Sequence, residues 1–340
     1  MHIFYDHLKK IGKQQKIDLF LYTRGGDLDS VWPLINLIKN FCAEFNVLIP
    51  YRAHSAGTLI ALGANKIVMG KMAQLSPIDP STQNLFNPSL DQNNLAAPKK
   101  PISVEDVIAY MSLVKDQFTL RGEGVLSEAF HTLAKEIHPL ALGNVHRVYK
   151  QIRKLADSIL QLRGIASQSK EERNKIIDTL TVEFYSHSHA INYAEATKLL
   201  GAQTESADEE MDNLLWNLLE AYYEEMKINS PFNLVEHMEG KTTDSMTVDT
   251  AIIESTVGLH KRVVKCKVSQ MSRLPPGITI PLQLGQQIPL IPGLPTNINL
   301  DLIKTDWVTT NLEAYETSPV QPVVSTALPV PPIEPIVAGL

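Results

Sequence analysis

Apolar and polar positions along the first seventy residues predict strands that alternate with helices. Residues 17–22 form an apolar run typical of a buried strand, and residues 30–45 carry apolar side chains at helical spacing. A second strand is expected over 47–51, a second helix over 55–64 and a third strand over 67–69. This alternation favours an α/β domain built in layers around a mostly parallel sheet.

The middle of the chain is predominantly helical in pattern. Residues 81–100 are rich in Asn, Pro, Ser and Gln, which predicts a loop. Ser103 is expected to cap the helix that follows, and Asp106, three residues later, would complete a variant of the capping box. Further helices are predicted within 103–162 and over 171–180, 193–200 and 208–226, with one more strand over 250–254.

The C-terminal part of the chain differs in composition. From about residue 273 it is rich in Pro, Leu, Ile, Gln and Thr and poor in charge. Because repeated proline removes backbone donors and disfavours helix, we expect an extended, disordered Pro-rich tail. The predicted organisation is a folded domain over 1–257 and a largely unstructured extension over 258–340.

Composition and charge exclude several classes of function. The chain has 340 residues and a net charge of -6, which gives no reason to expect nucleic acid as a partner. Two cysteines, Cys42 and Cys266, are too few for a disulfide framework or a thiolate cluster. No apolar run is long enough for a transmembrane helix, and no signal peptide pattern precedes the first strand, so a cytoplasmic location is expected. No nucleotide-binding loop is visible, and we expect no cofactor and no metal.

Two short motifs carry the candidate chemistry. Gly25 and Gly26 follow the first strand, where their amides could hold a ligand oxygen, although glycine at such a turn often serves only sterics. Ser55 lies between the second strand and a helix, where free amides and the helix dipole stabilise an oxyanion. Taken alone, Ser55 could equally be an ordinary N-cap.

Several ordered motifs resemble those of the serine dehydrogenase proteinase family, Clp-fold serine peptidases related to signal peptide peptidase A. The resemblance extends over about residues 5–257. It is carried by Thr23-Arg24-Gly25-Gly26-Asp27, Ser55-Ala56-Gly57-Thr58-Leu59-Ile60, Leu75-Ser76-Pro77-Ile78-Asp79-Pro80, Ile102-Ser103-Val104-Glu105-Asp106-Val107, His138-Pro139-Leu140-Ala141-Leu142-Gly143-Asn144 and Ser186-His187-Ser188-His189.

The resemblance implies a Clp-protease/crotonase-like fold and a serine endopeptidase that needs no ATP. Ser55 matches the nucleophile, and the amides of Gly25 or Gly26 and of Ala56 match the oxyanion hole. Peptides or unfolded proteins would be the substrates, and a homo-oligomer is expected. Clp-fold domains have at least one further strand before the one predicted at 17–22, so either the gene start is placed late or an outer part of the core is missing, and a missing strand would expose a sheet edge.

The general base is less clearly marked. The place of the Clp histidine falls on or beside Asp79, which is ionised but weakly basic near pH 7. In related peptidases a lysine is the base, and its place falls on Lys100 or on Lys99 beside it, where adjacent cations would lower an amine pKa. Both lysines could instead be solvated loop residues. Asp79 could orient the lysine or simply form a turn.

Other functions fit parts of the same pattern. An acyl-CoA hydratase or isomerase of the crotonase type also uses two amides as an oxyanion hole, but it usually needs a glutamate at the site. A non-catalytic Clp-fold scaffold would explain the Pro-rich tail. His187 and His189 share one face of an extended segment, but no further ligand stands at metal-site spacing. A structural or substrate-side role is therefore expected for this pair.

Overall fold

The computed structural model describes residues 1–89, 98–117, 123–163, 169–184, 186, 188–272 and 296–310. The strands are β1 (Gln14–Phe20), β2 (Cys42–Ile49), β3 (Arg52–Ala53), β4 (Lys66–Met69), β5 (Gln74–Leu75), β6 (Ser81–Thr82), β7 (Ile102–Ser103), β8 (Thr204–Ser206), β9 (Thr243–Ser255), β10 (Gly258–Ser272) and β11 (Thr296–Thr310). The helices are α1 (His2–Ile11), α2 (Val31–Lys39), α3 (Ala56–Leu62), α4 (Val104–Ser112), α5 (Glu123–Glu136), α6 (Pro139–Leu162), α7 (Lys170–Asp178), α8 (Tyr193–Leu200), α9 (Glu209–Glu225) and α10 (Leu234–His237).

A parallel sheet lies at the centre of the N-terminal region. Its order is β1-β2-β4-β8, and all three neighbouring pairs run parallel. Helices α2 and α3 pack on β2, and α6 packs on α3. The core residues at these contacts include Ile35, Phe45, Leu59, Ile67 and Ile159, all fully buried. The predicted layered α/β architecture is therefore confirmed.

The boundary between the first helix and the second strand differs from the prediction. The helix expected over 30–45 ends at Lys39, and β2 begins at Cys42. Phe45, Val47 and Ile49 are all fully buried, so every second residue points into the core. This two-residue period is typical of a strand, and β2 therefore includes residues 42–45, which the sequence pattern had assigned to the helix.

The segment after residue 257 contains strands, and the expectation of a largely unstructured extension is wrong for two stretches of it. Gly258–Ser272 and Thr296–Thr310 form β10 and β11, and with β9 they make an antiparallel sheet in the order β11-β10-β9. Cys266 and Val268, two residues apart, are buried on one face of β10. Residues 273–295 and 311–340 lie outside the described ranges, and the domain boundary after 257 stays a prediction.

The N-terminal ends of helices α4 and α6 have the residues that commonly begin a helix. The Ser103 hydroxyl accepts the amide of Asp106 at 3.1 Å and begins α4, as predicted. Helix α6 has Pro139 in its first turn and buries one face, including Val145, Ile152 and Ala156. Among the helices in the described ranges, none combines the length and the apolar character needed to cross a membrane.

Candidate active site

Ser55 lies at a sharp turn between β3 and α3. Its φ of 52° and ψ of -108° are unusual for a residue with a side chain. A backbone held in so sparsely populated a region costs about 1–3 kcal/mol and is typical of functional sites. Ser55 occupies the N-cap position of α3, yet within this fully described helix its hydroxyl makes no capping hydrogen bond. An ordinary N-cap has an extended backbone and a hydroxyl bound to helix amides, so this alternative does not describe Ser55.

The buried hydroxyl groups of Ser76 and Thr58 support this turn through hydrogen bonds. The Ser55 amide donates to Ser76 Oγ at 2.8 Å, and Ser76 Oγ donates to the Pro77 carbonyl at 2.9 Å. Thr58 Oγ1 accepts the Ser76 amide at 3.1 Å and lies 3.0 Å from the Ala53 carbonyl. Ser76 is 2% exposed and Thr58 is fully buried, so these bonds are shielded from water. The sequence motifs contain both residues, but their positioning role was not predicted.

The predicted glycine motif is brought against Ser55. Thr23 exchanges backbone hydrogen bonds with the segment before the serine, since its amide donates to Arg52 and its carbonyl accepts from His54. Gly25, two residues later, has a φ of 120°. A Cβ placed on Gly25 would lie 3.2 Å from Ser55 Cβ and 3.7 Å from Ser55 Oγ. The backbone therefore approaches the serine side chain where only glycine fits.

The amides near Ser55 are not equivalent. The Gly25 amide already donates to Thr23 Oγ1 at 3.1 Å, and the Ser55 amide is taken by Ser76. Ala56 is the first residue of α3, so its amide has no intrahelical acceptor. Gly26 lines the cleft beside the serine. Of the predicted oxyanion donors, Ala56 and Gly26 are thus better disposed than Gly25.

A cleft of about 370 Å³ opens beside Ser55. One wall comes from the glycine turn and the segment around Asp79, and the other from one face of α6. Gln151 on α6 donates to Asp29 Oδ1 at 2.6 Å and so ties the two walls together. The lining residues are Gly26, Asp27, Leu28, Asp29, Ser55, Asp79, Pro80, Ser81, Val148, Gln151, Ile152 and Leu155.

Neither candidate lysine lines this cleft, whereas Asp79 does. Ser81 on β6 pairs with Ser103 on β7, and the Ser103 hydroxyl lies 3.4 Å from an Asp79 carboxylate oxygen. Lys100 precedes Ser103 by three residues and Lys99 by four.

Residues 5–117 match the sequence model of a family described as ClpP-like SDH-type serine proteinase. The predicted family resemblance is confirmed for this segment. It contains Ser55, the glycine turn, Asp79 and both candidate lysines. Together with the parallel sheet, the match shows that the chain has the ClpP-like α/β fold.

Two curated proteins similar to part of this chain are uncharacterized proteins of Methanocaldococcus jannaschii. One is 40% identical over 78 residues and the other 41% identical over 64 residues, which is 23% and 19% of this chain. These matches span 27% and 22% of the relatives' own length, so this chain covers about a quarter of each.

Two solved structures similar to this chain are variants of 1510-N, a membrane-bound stomatin-specific protease. One is a complex with a substrate peptide; it is 17% identical, covers 61% of this chain and 70% of its own, and has a TM-score of 0.34. The other is 15% identical, covers 62% and 76%, and has a TM-score of 0.35.

Two further histidines of the sequence motifs, His138 and His189, do not line the cleft. His138 caps α6, since its Nδ1 accepts the Leu140 amide at 3.1 Å. His189 Nε2 lies 3.1 Å from a carboxylate oxygen of Glu195, and His187 lies outside the described residues. Within the described ranges, no group of three His, Cys, Asp or Glu side chains is placed to hold a metal ion.

Proposed function

We propose that this chain is a serine peptidase whose nucleophile is Ser55. The observation that carries the proposal is Ser55 itself, which lines the cleft with its backbone held at positive φ and with its hydroxyl making no capping hydrogen bond. A strained strand-to-helix turn that presents a serine is how several hydrolases expose a nucleophile. The family match over residues 5–117 supports the same chemistry.

In the proposed reaction, Ser55 Oγ attacks the carbonyl carbon of a peptide bond and loses its proton to a general base. The negative charge that develops on the carbonyl oxygen is held by backbone amides, with Ala56 and Gly26 as the best-placed donors and Gly25 as the alternative. The base returns the proton to the leaving amine. Water then hydrolyses the acyl-enzyme, and Ser55 is regenerated.

The base is proposed from two different observations. Lys100, with Lys99 as the neighbouring alternative, holds the place that the family resemblance gives to a catalytic lysine. Asp79 is one of three carboxylates that line the cleft, with Asp27 and Asp29, and its position falls on or beside that of the Clp histidine. We propose Lys100 as the base and Asp79 as its positioning partner, and exchange of either residue separates the two possibilities.

The first experiment combines labelling with proteolysis. Purified protein is treated with a fluorophosphonate, which forms a covalent adduct with activated serines, and the adduct is mapped by mass spectrometry. We expect the adduct on Ser55, and we expect Ser55→Ala to abolish both labelling and cleavage of casein. The matched control is Ser206→Ala on exposed β8, which should retain both. A folded wild-type chain that is neither labelled nor active would favour the non-catalytic scaffold.

The same assay separates the candidate bases and tests ATP dependence. Loss of labelling in Lys100→Ala but not in Lys99→Ala would support Lys100, and the reverse result would move the base by one residue. Full activity in both lysine variants and loss in Asp79→Asn would exclude a Ser-Lys mechanism. Cleavage that requires added ATP would contradict the proposed ATP independence.

A further inference from the structure

A second cavity lies between three helices, and none of the described residues that line it also lines the cleft beside the serine. Its volume is about 710 Å³, and its walls come from α4, from the helical turn Leu113–Gln117 that continues α4, and from α5 and α6. Apart from Ser112, Lys115, His146 and Tyr149, the described residues that line it are apolar. A cavity of this size and character is typical of sites that bury a small apolar ligand.

The apolar lining includes both buried and exposed side chains. Val104 on α4 and Val145 on α6 are each 3% exposed, whereas Leu126 and Phe130 on α5 are 37% and 48% exposed. A ligand in the cavity would therefore remove apolar surface of α5 from water. Burial of such surface favours binding.

The helical walls decide which kind of apolar ligand fits the cavity. Backbone amides and carbonyls inside a helix bond to one another, so these walls offer an extended peptide no backbone partners. Each unpaired peptide group of such a ligand would cost free energy on burial. A whole helix, about 10–12 Å across, would occupy more than about 1,000 Å³ over the length of α4, which exceeds the cavity. A saturated acyl chain has no polar group along its length and leaves nothing unpaired.

One end of the cavity carries a positive charge. Lys115 is exposed and is the single Lys or Arg among the described lining residues, and no Asp or Glu is among them. Val104 lines the same helical segment eleven residues earlier, which is about 16 Å away at 1.5 Å per residue. An anionic head group at Lys115 would therefore leave its chain to lie along α4 against apolar side chains.

We propose that this cavity binds the acyl chain of a free fatty acid, whose carboxylate pairs with Lys115. The binding needs no chemistry at Ser55 and so goes beyond the proposed peptidase function. The two sites share helix α6, since Val148 lines the cleft and Tyr149 lines the cavity. A fatty acid bound here would contact the helix that forms one wall of the cleft.

Calorimetric titration of the full chain, with fatty acids below their micelle concentrations, tests the occupant. The dissociation constant should fall about fifteenfold at each step from octanoate to decanoate to dodecanoate, because each buried methylene improves binding about fourfold. Lys115→Met should raise the dissociation constant of decanoate about three- to fivefold and leave that of uncharged decanol unchanged. Lys135→Met removes the same charge from an exposed position of α5 that does not line the cavity, and it should change neither value.

A steric variant locates the binding independently of charge. Ser112→Phe enlarges an exposed lining residue of α4 and should weaken decanoate binding about tenfold, because the ring takes up space in the cavity. Ala109→Phe, at an exposed position of the same helix that does not line the cavity, should bind as wild type does. Ser55→Ala should also bind as wild type does, so an inactive peptidase would not affect this test. Circular dichroism shows whether each variant is folded.

Three outcomes would overturn the proposal. They are absence of binding by the folded wild-type chain, equal loss of decanoate and decanol binding in Lys115→Met, and full binding in Ser112→Phe. Binding that weakens as the protein concentration rises would show that a second copy of the chain occupies the cavity, and it would overturn the proposal as well.

Discussion

Gly25 and Ser55 have backbone conformations that side chains rarely favour, and the two residues lie against each other. Gly25 has a φ of 120°, and a Cβ added to it would lie only 3.2 Å from Ser55 Cβ. A side chain at Gly25 would have a strained φ and would crowd the side chain of Ser55, the proposed nucleophile. The site therefore depends on glycine here for space as well as for backbone freedom.

The variant Gly25→Ala is expected to lower kcat by about 10²–10³, the loss seen when one oxyanion-hole donor is displaced. The added methyl would push the turn away from Ser55, so KM should change less than kcat. The matched control is Gly143→Ala on α6, where a Cβ meets no atom within 4 Å. Full activity in Gly25→Ala would mean that the turn does not form part of the reaction site.

At the residue scale, the sequence could predict what depends on local backbone chemistry. Ser55 and Gly25 stand at strand-to-helix turns, and such turns are readable from a strand pattern followed by small residues. Ser76 supports the Ser55 turn through a hydrogen bond between residues 21 positions apart, and no local sequence pattern predicts such a contact. The same limit holds for the lysines: neither lines the cleft, and no local sequence pattern predicts this.

At the scale of elements, helix α6 ends on a buried charge. Arg163, its C-cap residue, is 3% exposed, and none of its three guanidinium nitrogens has a hydrogen-bond partner among the described residues. Burial lowers the pKa of Arg163 to about 10. The negative end of the helix dipole offers partial compensation. A buried cation without a paired carboxylate costs stability.

Replacing this charge by an apolar side chain should stabilise the fold. We expect Arg163→Met to raise the free energy of unfolding by about 1–4 kcal/mol, the range seen when buried ionic groups give way to packed apolar ones. Lys154→Met, at an exposed position of the same helix, should change it by less than about 0.5 kcal/mol. Urea denaturation measures both. Destabilisation of Arg163→Met would show that the guanidinium has a stabilising partner.

Helices and strands could be predicted from the sequence where the spacing of apolar residues follows a single period, either helical or extended. The alternation that gave an α/β sheet holds because β2 and β4 are the inner strands of the parallel sheet and helices α2 and α3 pack on β2. The prediction was wrong at β10, because the unstructured region expected from the Pro-rich composition after about residue 273 was taken to begin at residue 258. In β10, Cys266 and Val268 alternate with polar neighbours, and this pattern indicates a strand.

At the scale of the whole molecule, the first helix and the C-terminal hairpin are joined by a buried histidine. His7 on α1 is 5% exposed; its Nδ1 lies 2.6 Å from Ser255 Oγ on β9, and its Nε2 lies 2.8 Å from His260 Nδ1 on β10. These contacts join residues about 250 positions apart. Two imidazoles can share one proton across such a bond, but two charged rings would face each other with N–H groups.

The pH dependence of stability follows from this contact. Burial first, then His260 and Lys10, lower the pKa of His7 from its ordinary value of 6.5, and Asp6 opposes them. Between the folded-state pKa and 6.5 the unfolded chain binds more protons than the folded one. The contribution of His7 to stability is therefore fully present above 6.5 and is lost as the pH falls towards its folded-state pKa.

We therefore expect the free energy of unfolding to decrease between pH 7.5 and pH 5, and the decrease to be smaller in His7→Gln. His7→Gln keeps a polar side chain of similar length but cannot take up a proton, so any remaining slope comes from other groups. His2→Gln, on the exposed start of the same helix, should retain the full slope. An unchanged slope in His7→Gln would mean that acid acts elsewhere. A reduced slope would identify the joint between α1 and the hairpin as the part of the molecule that acid opens.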